Sequence, residues 1–523
     1  MRKVYLLDCT LRDGGYINDW MFGKETIRGF IHKIAQTGIE FVEVGFIKGD
    51  TFDPNRTVFP NIEVITDIIR PKAEGMLYVG MLDMSDPIPL ERLTPRQKDG
   101  IDGIRVIFKK DKMEEAFRYC QRVKELGYLL SVNFVGTDLY TDKEFIEGIE
   151  RMNALHPFSM AIVDTFGLIK RKQFTRLVYL ADHNLAPDVV LTYHAHNNLQ
   201  QAYGNAEALV EMNLKRDVCI DACVFGMGRG AGNLNLELFA EFMNENYDAH
   251  YRIEPMLEIM DEYLNDIYQE KSWGYSLPLY LSACMGCHPN YAIYLAEKDS
   301  LNVKSFQELL RSIPDEKKVK FSKETAEQYY RQYQENFIDD RETVAKLAKT
   351  MEGKRVLILA PGRSLREFDS EIKAEMDRAD TVTIAVSFTG GEFAPDYIFS
   401  SNMRRYNKIQ GKVNTPCIIT SNMKESSGAD YVVNFSSYAI DKPDIMDNSG
   451  LMAIRLVMAL GVKKVLLAGM DGYSTGSHDY VYRELEFDFS AKTTRRNELI
   501  SEELRKFSKQ IDLHFITPTN YLV

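Results

Sequence analysis

Long apolar runs are missing from this 523-residue chain: no stretch approaches the roughly 18 residues of a membrane span. A basic excess is missing too. Against 64 Lys and Arg stand 76 Asp and Glu, for a formal charge of −12 and a pI near 5.4. Nonspecific nucleic-acid binding needs a basic surface, so that class of partner is not expected. Cysteine is scarce: seven residues (9, 120, 219, 223, 284, 287 and 417), odd in number and scattered. The apolar part of the N-terminal segment, from Val4 to Leu7, is too short for a signal peptide and reads as a strand entering a loop. Reduced thiols in the cytoplasm are therefore the expectation. Histidine is rare as well, nine in all, and two of them fall within His194-Ala-His196-Asn197.

That tetrapeptide follows the apolar run Val189-Val190-Leu191, which reads as a buried strand. Residues i and i+2 of a strand point the same way, so two imidazoles there can meet one metal ion. The alternative is a polar strand end with two solvated histidines, because His-x-His is a short motif. Another local pattern, Cys284-Met-Gly-Cys287-His288, fits covalent haem attachment. Haem attachment needs export, and a zinc site needs further ligands at a clear spacing. The segment therefore reads as free cysteines in helical packing, with no haem.

A chain of this length holds two or three domains. In the first 230 residues, short β-branched runs recur at Val4–Leu7, Phe41–Phe46, Tyr78–Leu82, Ile104–Phe108, Leu129–Val135, Met160–Val163, Val189–Tyr193 and Cys219–Val224. Segments of helical periodicity alternate with them, such as Thr26–Ala35, Met113–Leu126, Lys143–Met152 and Gln201–Met212. The fold class is α/β. Eight such units predict a (β/α)8 barrel over 1–250, with an open doubly wound sheet as the runner-up. Residues 251–350 read as a helical extension, rich in charge in its second half. A Rossmann-like α/β domain is expected over 354–523. Its strands are Arg355–Ala360, Thr381–Val386, Cys417–Thr420, Tyr431–Asn434, Lys464–Leu467 and His514–Thr517, and its helices Glu367–Asp377, Gly450–Leu460 and Arg495–Lys509.

Barrel active sites gather at the C-terminal ends of the strands. The polar residues there are Asp8 to Asp13 after strand one, Glu43 on strand two, Asp164 and Thr165 after strand six, His194 and His196 at strand seven, and Gly226 to Glu237 after strand eight. Two histidines and a carboxylate form a facial ligand set with open positions. Asp13 is the best carboxylate, and the Asn233 carbonyl is a candidate fourth ligand. Open positions suit a bidentate 2-oxo acid, whose enolate a metal stabilises when a carbon–carbon bond breaks or forms. Arg12 would hold the enolate oxygen electrostatically. Gly228 and its neighbouring glycines permit close approach of backbone to ligand. Each residue also has a structural alternative. These alternatives are Asp8 bonded only to its own loop, Glu43 paired with Arg12, Asp164 and Thr165 as packing, and the glycines as a tight turn alone.

Asp8-Cys-Thr-Leu-Arg12-Asp13-Gly, His194-Ala-His196-Asn and Gly226-x-Gly-x-Gly-Ala-Gly-Asn233 occur in this order. Over about residues 1–290 the chain resembles the HMG-CoA lyase-like (DRE-TIM) superfamily of metal-dependent aldolases and lyases. In pattern it is most similar to the 4-hydroxy-2-oxovalerate aldolases. The resemblance implies that Asp13, His194 and His196 bind Mn²⁺ or Mg²⁺, with Zn²⁺ or Co²⁺ as alternatives, and that Asn233 joins them. It implies Arg12 as the enolate-stabilising residue and an aldolase or lyase acting on a 2-oxo acid and an aldehyde. Asp164, Thr165 and Gly228 are the expected substrate contacts, with Glu43 catalytic. Acyl-CoA/2-oxo acid condensation is the alternative within the superfamily. One departure stands out. Those aldolases carry a catalytic-base His three residues after the metal Asp, where this chain has Tyr16. Tyr16 is a candidate for the role, although a phenol titrating near pH 10 is a poor base at neutral pH.

In the last domain, Pro361-Gly362-Arg-Ser364 follows a strand, which suits an anion such as phosphate. Ser449 and Asp471 belong to a second polar cluster. Over about 354–523, including the ending Pro518-Thr-Asn-Tyr521, the chain resembles bacterial sialyltransferases and related Rossmann-like proteins that bind a cytidine nucleotide. That implies a cytidine nucleotide or sugar phosphate at Gly362, Ser364, Ser449 and Asp471. The base His of those transferases has no counterpart in the matching stretch, Phe487-Asp-Phe-Ser-Ala-Lys492. Pairing the two domains suggests acidic-sugar or surface-glycan biosynthesis. A CMP-sugar-dependent glycosyltransferase with the barrel as scaffold is the competing reading. Self-association of the chain is a further expectation.

Overall fold

The computed structural model describes residues 2–424, 426–474, 479–486 and 493–523. It divides into two compact units, Met1–Pro289 and Asn290–Val523. In the first, β1 (Val4–Asp8), β2 (Phe41–Ile47), β3 (Leu77–Leu82), β4 (Gly103–Phe108), β5 (Leu129–Val135), β6 (Ser159–Asp164), β7 (Val190–Ala195) and β8 (Val218–Ala222) run parallel in chain order. β1 pairs with both β2 and β8, which closes an eight-stranded barrel. A two-residue strand, Val58–Phe59, extends the sheet beside the end of β2.

Every residue of β2, β6, β7 and β8 is buried. Parallel strands covered on both faces need near-continuous apolar sequence, which is why their β-branched runs stand out. The intervening helices turn one stripe inward: in Met113–Glu125 the buried residues are Ala116, Tyr119, Cys120 and Val123, spaced three and four apart. Helix starts are fixed locally, as in Asp142–Asn153, where Thr141 and Glu144 form a reciprocal capping box. Closure leaves no open edge and rules out the open-sheet alternative for this unit.

The 251–350 segment is helical among the described elements but divides between the two units at Pro289. Helices up to Leu277–Cys284 belong with the barrel, and those from Val303–Ser312 onward with the second sheet. The helical segment is thus divided between the two units.

The second unit carries seven parallel strands: β9 (Arg355–Leu359), β10 (Thr381–Val386), β11 (Tyr397–Ser400), β12 (Cys417–Thr420), β13 (Tyr431–Val433), β14 (Lys464–Ala468) and β15 (Asp512–Phe515). Their order is β13-β12-β11-β10-β9-β14-β15. The winding reverses at β9, which lies between β10 and β14, and a crevice opens there beyond the strands' C-terminal ends. β11 is absent from the sequence reading. It has four residues after Pro395, too few to show a period. β15 starts two residues earlier than expected. It is an exposed, alternating edge strand with a charged first residue, and its register follows pairing with β14.

Candidate active site

The short helix Thr10–Asp13 follows β1 directly and turns Arg12 and Asp13 inward, both buried. His194 lies on β7 and His196 just beyond it, in a backbone bridge with Asn233. One ligand atom each from Asp13, His194 and His196 lies within 4.8 Å of the others, and among the described residues this is the group of three such side chains able to hold a metal. His194 Nε2 is 2.9 Å from one Asp13 oxygen, and His196 Nε2 is 3.9 Å from the other. That second oxygen, Asp13 Oδ1, is buried without a hydrogen bond, and so is Asn233 Oδ1. The Asn233 amide is oriented by Nδ2, which donates to the Met227 carbonyl at 3.1 Å and to Cys223 Sγ. Gly228 makes room for this, since a Cβ there would collide with Asn233 Nδ2. Buried acceptors without donors, converging with two imidazoles, are a donor set that fits a divalent cation.

The charges around the site form a chain. Arg12 donates from Nη1 to Asp13 at 2.6 Å and from Nε to Glu43 at 2.7 Å. Arg105 reaches Glu43 at 3.2 Å and also pairs with Asp221. Asp221 in turn lies 3.2 Å from His194 Nδ1 and so fixes which imidazole edge faces Asp13. Burial would raise Asp13, but Arg12 and the two histidines overcome it and hold the carboxyl well below its usual range. Burial lowers His194, and its hydrogen bonds to Asp13 and Asp221 outweigh that and raise it. Burial, helped by Arg229, lowers His196 to about 3. A neutral imidazole is the form that ligates metal.

The remaining expected residues fall differently. Glu43 is an ion-pair partner of Arg12 and Arg105. Tyr16 packs edge-on against Trp20, with ring centroids 4.9 Å apart, and under the Arg229 guanidinium at 5.1 Å. Burial raises its phenol, which keeps it protonated at neutral pH. The Asp164 carboxylate accepts from the Leu168 and Ile169 amides at 2.8 and 3.0 Å, and the Thr165 hydroxyl accepts from the Gly136 amide at 2.8 Å. Both close loops of the rim. Asp8 likewise bonds Thr10 in its own loop. Cys9 and Cys223 meet behind the site, 3.4 Å apart as free thiols. Arg105 and Asp221 were missed. Their signal was one ionisable residue inside each of two otherwise apolar strands, Gly-Ile-Arg105-Val-Ile-Phe and Val-Cys-Ile-Asp221-Ala.

In the second unit, Gly362, Ser449 and Asp471 line the crevice at the β9 reversal. Ser364 lies behind it, its amide donating to Asp471 at 2.8 Å and its hydroxyl to the same carboxylate. Ser449 opens the 11-residue helix Ser449–Ala459, which Asn448 caps by accepting from the Leu451 amide. Ser387, at the end of β10, also lines the crevice. It is held at φ +63°, and its buried hydroxyl has no hydrogen bond. Arg405 and Arg496 complete the wall. The stretch from Phe487 to Lys492 lies outside the described residues.

The comparisons with known proteins meet this geometry at the barrel. The HMGL-like family model matches residues 108–261. Among curated relatives of the chain is a 4-hydroxy-2-oxovalerate aldolase of Desulfitobacterium hafniense (strain DSM 10664 / DCB-2), 22% identical over 51% of this chain and 79% of that protein. Another is an oxaloacetate decarboxylase of Mycobacterium tuberculosis (strain ATCC 25618 / H37Rv), 23% identical over 45% of this chain and 68% of that protein. Among solved structures, the N-terminal domain of a putative aldolase from Bacteroides vulgatus aligns at 21% identity with a TM-score of 0.47, covering 56% of this chain and 96% of that one.

Proposed function

We propose that the barrel of this HMGL-like protein is a divalent-metal-dependent aldolase or lyase acting on a 2-oxo acid. The observation that carries the reading is the convergence of Asp13, His194 and His196, with Asp13 Oδ1 and Asn233 Oδ1 buried and unpartnered beside them. The named activities of the relatives support it. These four residues would hold Mn²⁺ or a similar ion, which when bound supplies a Lewis acid to polarise the carbonyl of the oxo acid. Arg12 is pinned through Nε and Nη1 by Glu43 and Asp13, and among the described residues no hydrogen bond uses its Nη2. That N–H is the donor for the oxygen on which negative charge grows, preorganised by a pair of carboxylates. Tyr16, protonated and at the mouth, donates to the aldehyde oxygen as the carbon–carbon bond forms. EDTA-treated protein given Mn²⁺ or Mg²⁺, pyruvate and a panel of aldehydes tests this. Metal-dependent deuterium uptake at the pyruvate methyl and an aldol product are expected. No metal-dependent carbon–carbon reaction would sink the reading.

For the second unit, the crevice at the strand reversal supports a cytidine nucleotide or sugar phosphate as ligand, with phosphate against the start of helix Ser449–Ala459. Together the two halves suit acidic-sugar or surface-glycan biosynthesis. Calorimetric titration of the full chain with cytidine monophosphate tests the nucleotide; no heat at millimolar ligand removes it.

A further inference from the structure

Three arginines stand at the barrel site, and two of them are ion-paired to carboxylates. Arg12 meets Asp13 and Glu43, and Arg105 meets Glu43 and Asp221. The third, Arg229, is half-buried on the loop after β8, and no carboxylate ion-pairs with it among the described residues. Its contacts are the Tyr16 ring, 5.1 Å from the guanidinium carbon, and the His288 imidazole, whose Nε2 lies 3.5 Å from Nη1. His288 is edge-on to Phe166, with centroids 5.6 Å apart, so the group spans the rim from the β6 loop to the β8 loop. A half-buried guanidinium lying against an imidazole and a phenol is placed to take an anion. The neighbours supply none. Burial and then Arg229 itself lower His288 to about 3, leaving it neutral, and Tyr16 is a neutral phenol.

We infer that Arg229, flanked by His288 and Tyr16, is the receptor for an anionic group on the acceptor aldehyde, so that the partner substrate is an aldehyde carrying a carboxylate or phosphate. The inference rests on the aldolase reading above. A chelating 2-oxo acid brings its own carboxylate to the Asp13, His194 and His196 side. Among the described residues Arg229 makes no hydrogen bond or ion pair with those three, although its charge lowers His196, so its anion would sit beside the ligand set and belong to the second substrate. The guanidinium fork suits either oxyanion. His288 belongs to the Cys-x-x-Cys-His segment that the sequence left without a role, and here it walls the subsite.

The test compares wild type with Arg229→Met, which keeps bulk, and Arg229→Lys, which keeps charge. The acceptors are glyceraldehyde 3-phosphate, succinic semialdehyde and propionaldehyde, each with pyruvate and Mn²⁺. Wild type is expected to favour at least one anionic acceptor over propionaldehyde in kcat/KM. Arg229→Met lowers that ratio about 10- to 100-fold, mainly through KM, and Arg229→Lys recovers part of it. Which anionic acceptor leads separates phosphate from carboxylate. An unchanged ratio overturns the inference, and so does a raised KM for pyruvate with the ratio intact, which would assign Arg229 to the oxo acid. Deuterium exchange into pyruvate needs no acceptor, so its absence in wild type would fault the aldolase reading alone. In that case, binding of inorganic phosphate and of acetate to the full chain decides the inference. Tenfold weaker binding in Arg229→Met supports it, and equal binding overturns it.

Discussion

The barrel rim and the crevice of the second sheet both lie beyond the C-terminal ends of parallel strands, yet they are built in opposite ways. At the rim, side chains from three strand ends converge, and the acceptor atoms facing one another are left without donors. In the crevice, the acidic residue is already satisfied, since Asp471 takes both bonds of Ser364, and the wall is made by turns and a helix start. The donor set at the rim fits a divalent cation. The crevice offers backbone, a helix N-terminus and the unpartnered Ser387 hydroxyl, which suit a polar anionic ligand.

The largest effect expected on this contrast comes from Arg12→Lys. Lysine cannot hold Asp13, Glu43 and a substrate oxygen at once, so kcat for the aldol reaction should fall about 10²- to 10³-fold while bound metal stays at one per chain. Retained activity would mean that the guanidinium does not face the reacting oxygen. Next comes Asp221→Asn. It frees His194 Nδ1 and leaves Arg105 short of a partner, and metal affinity measured by chelator competition should drop about 10- to 100-fold.

In the crevice, Gly362→Val puts a side chain where a Cβ already collides with the Gly469 carbonyl and Asp471. Such overpacking costs about 1–3 kcal/mol. Cytidine monophosphate binding should weaken at least about tenfold, with metal binding at the barrel unchanged. If both sites respond, the two are not the separate devices described above.

The smallest effect is on stability. Burial raises the Asp8 carboxyl to about 7 from an ordinary 3.8, against its Thr10 hydrogen bonds. Between those values the folded protein keeps a proton that the unfolded chain has released. Stability therefore falls as pH rises from about 4 to about 7 and levels above that. Asp8→Asn should flatten the barrel's melting profile over this window; an unaltered slope would assign it to other groups.

What the sequence made legible follows from the same contrast. The eight barrel strands are buried on both faces, so their apolar runs were visible, and the ligand residues sit on or just after strand ends, where spacing alone locates them. Glu43 was harder. Its residue type fits catalysis, pairing with Arg12 was a stated alternative, and the fold adds Arg105 as a second partner. Tyr16 was legible as a departure and as a poor base, but its burial was not, because that comes from Trp20, Phe46 and the distant Arg229. Ser387 carries no local signal at all. Its strained backbone and buried hydroxyl arise from where β10 ends beside β9.

The most direct test of the central claim is a metal count. Apo protein, wild type and Asp13→Asn, is titrated with Mn²⁺ and followed by electron paramagnetic resonance of the free ion. Wild type should take up one ion per chain at micromolar affinity or better, and Asp13→Asn, folded by circular dichroism, should take up none in that range. Equal uptake by the two proteins, or none by wild type, would contradict the account.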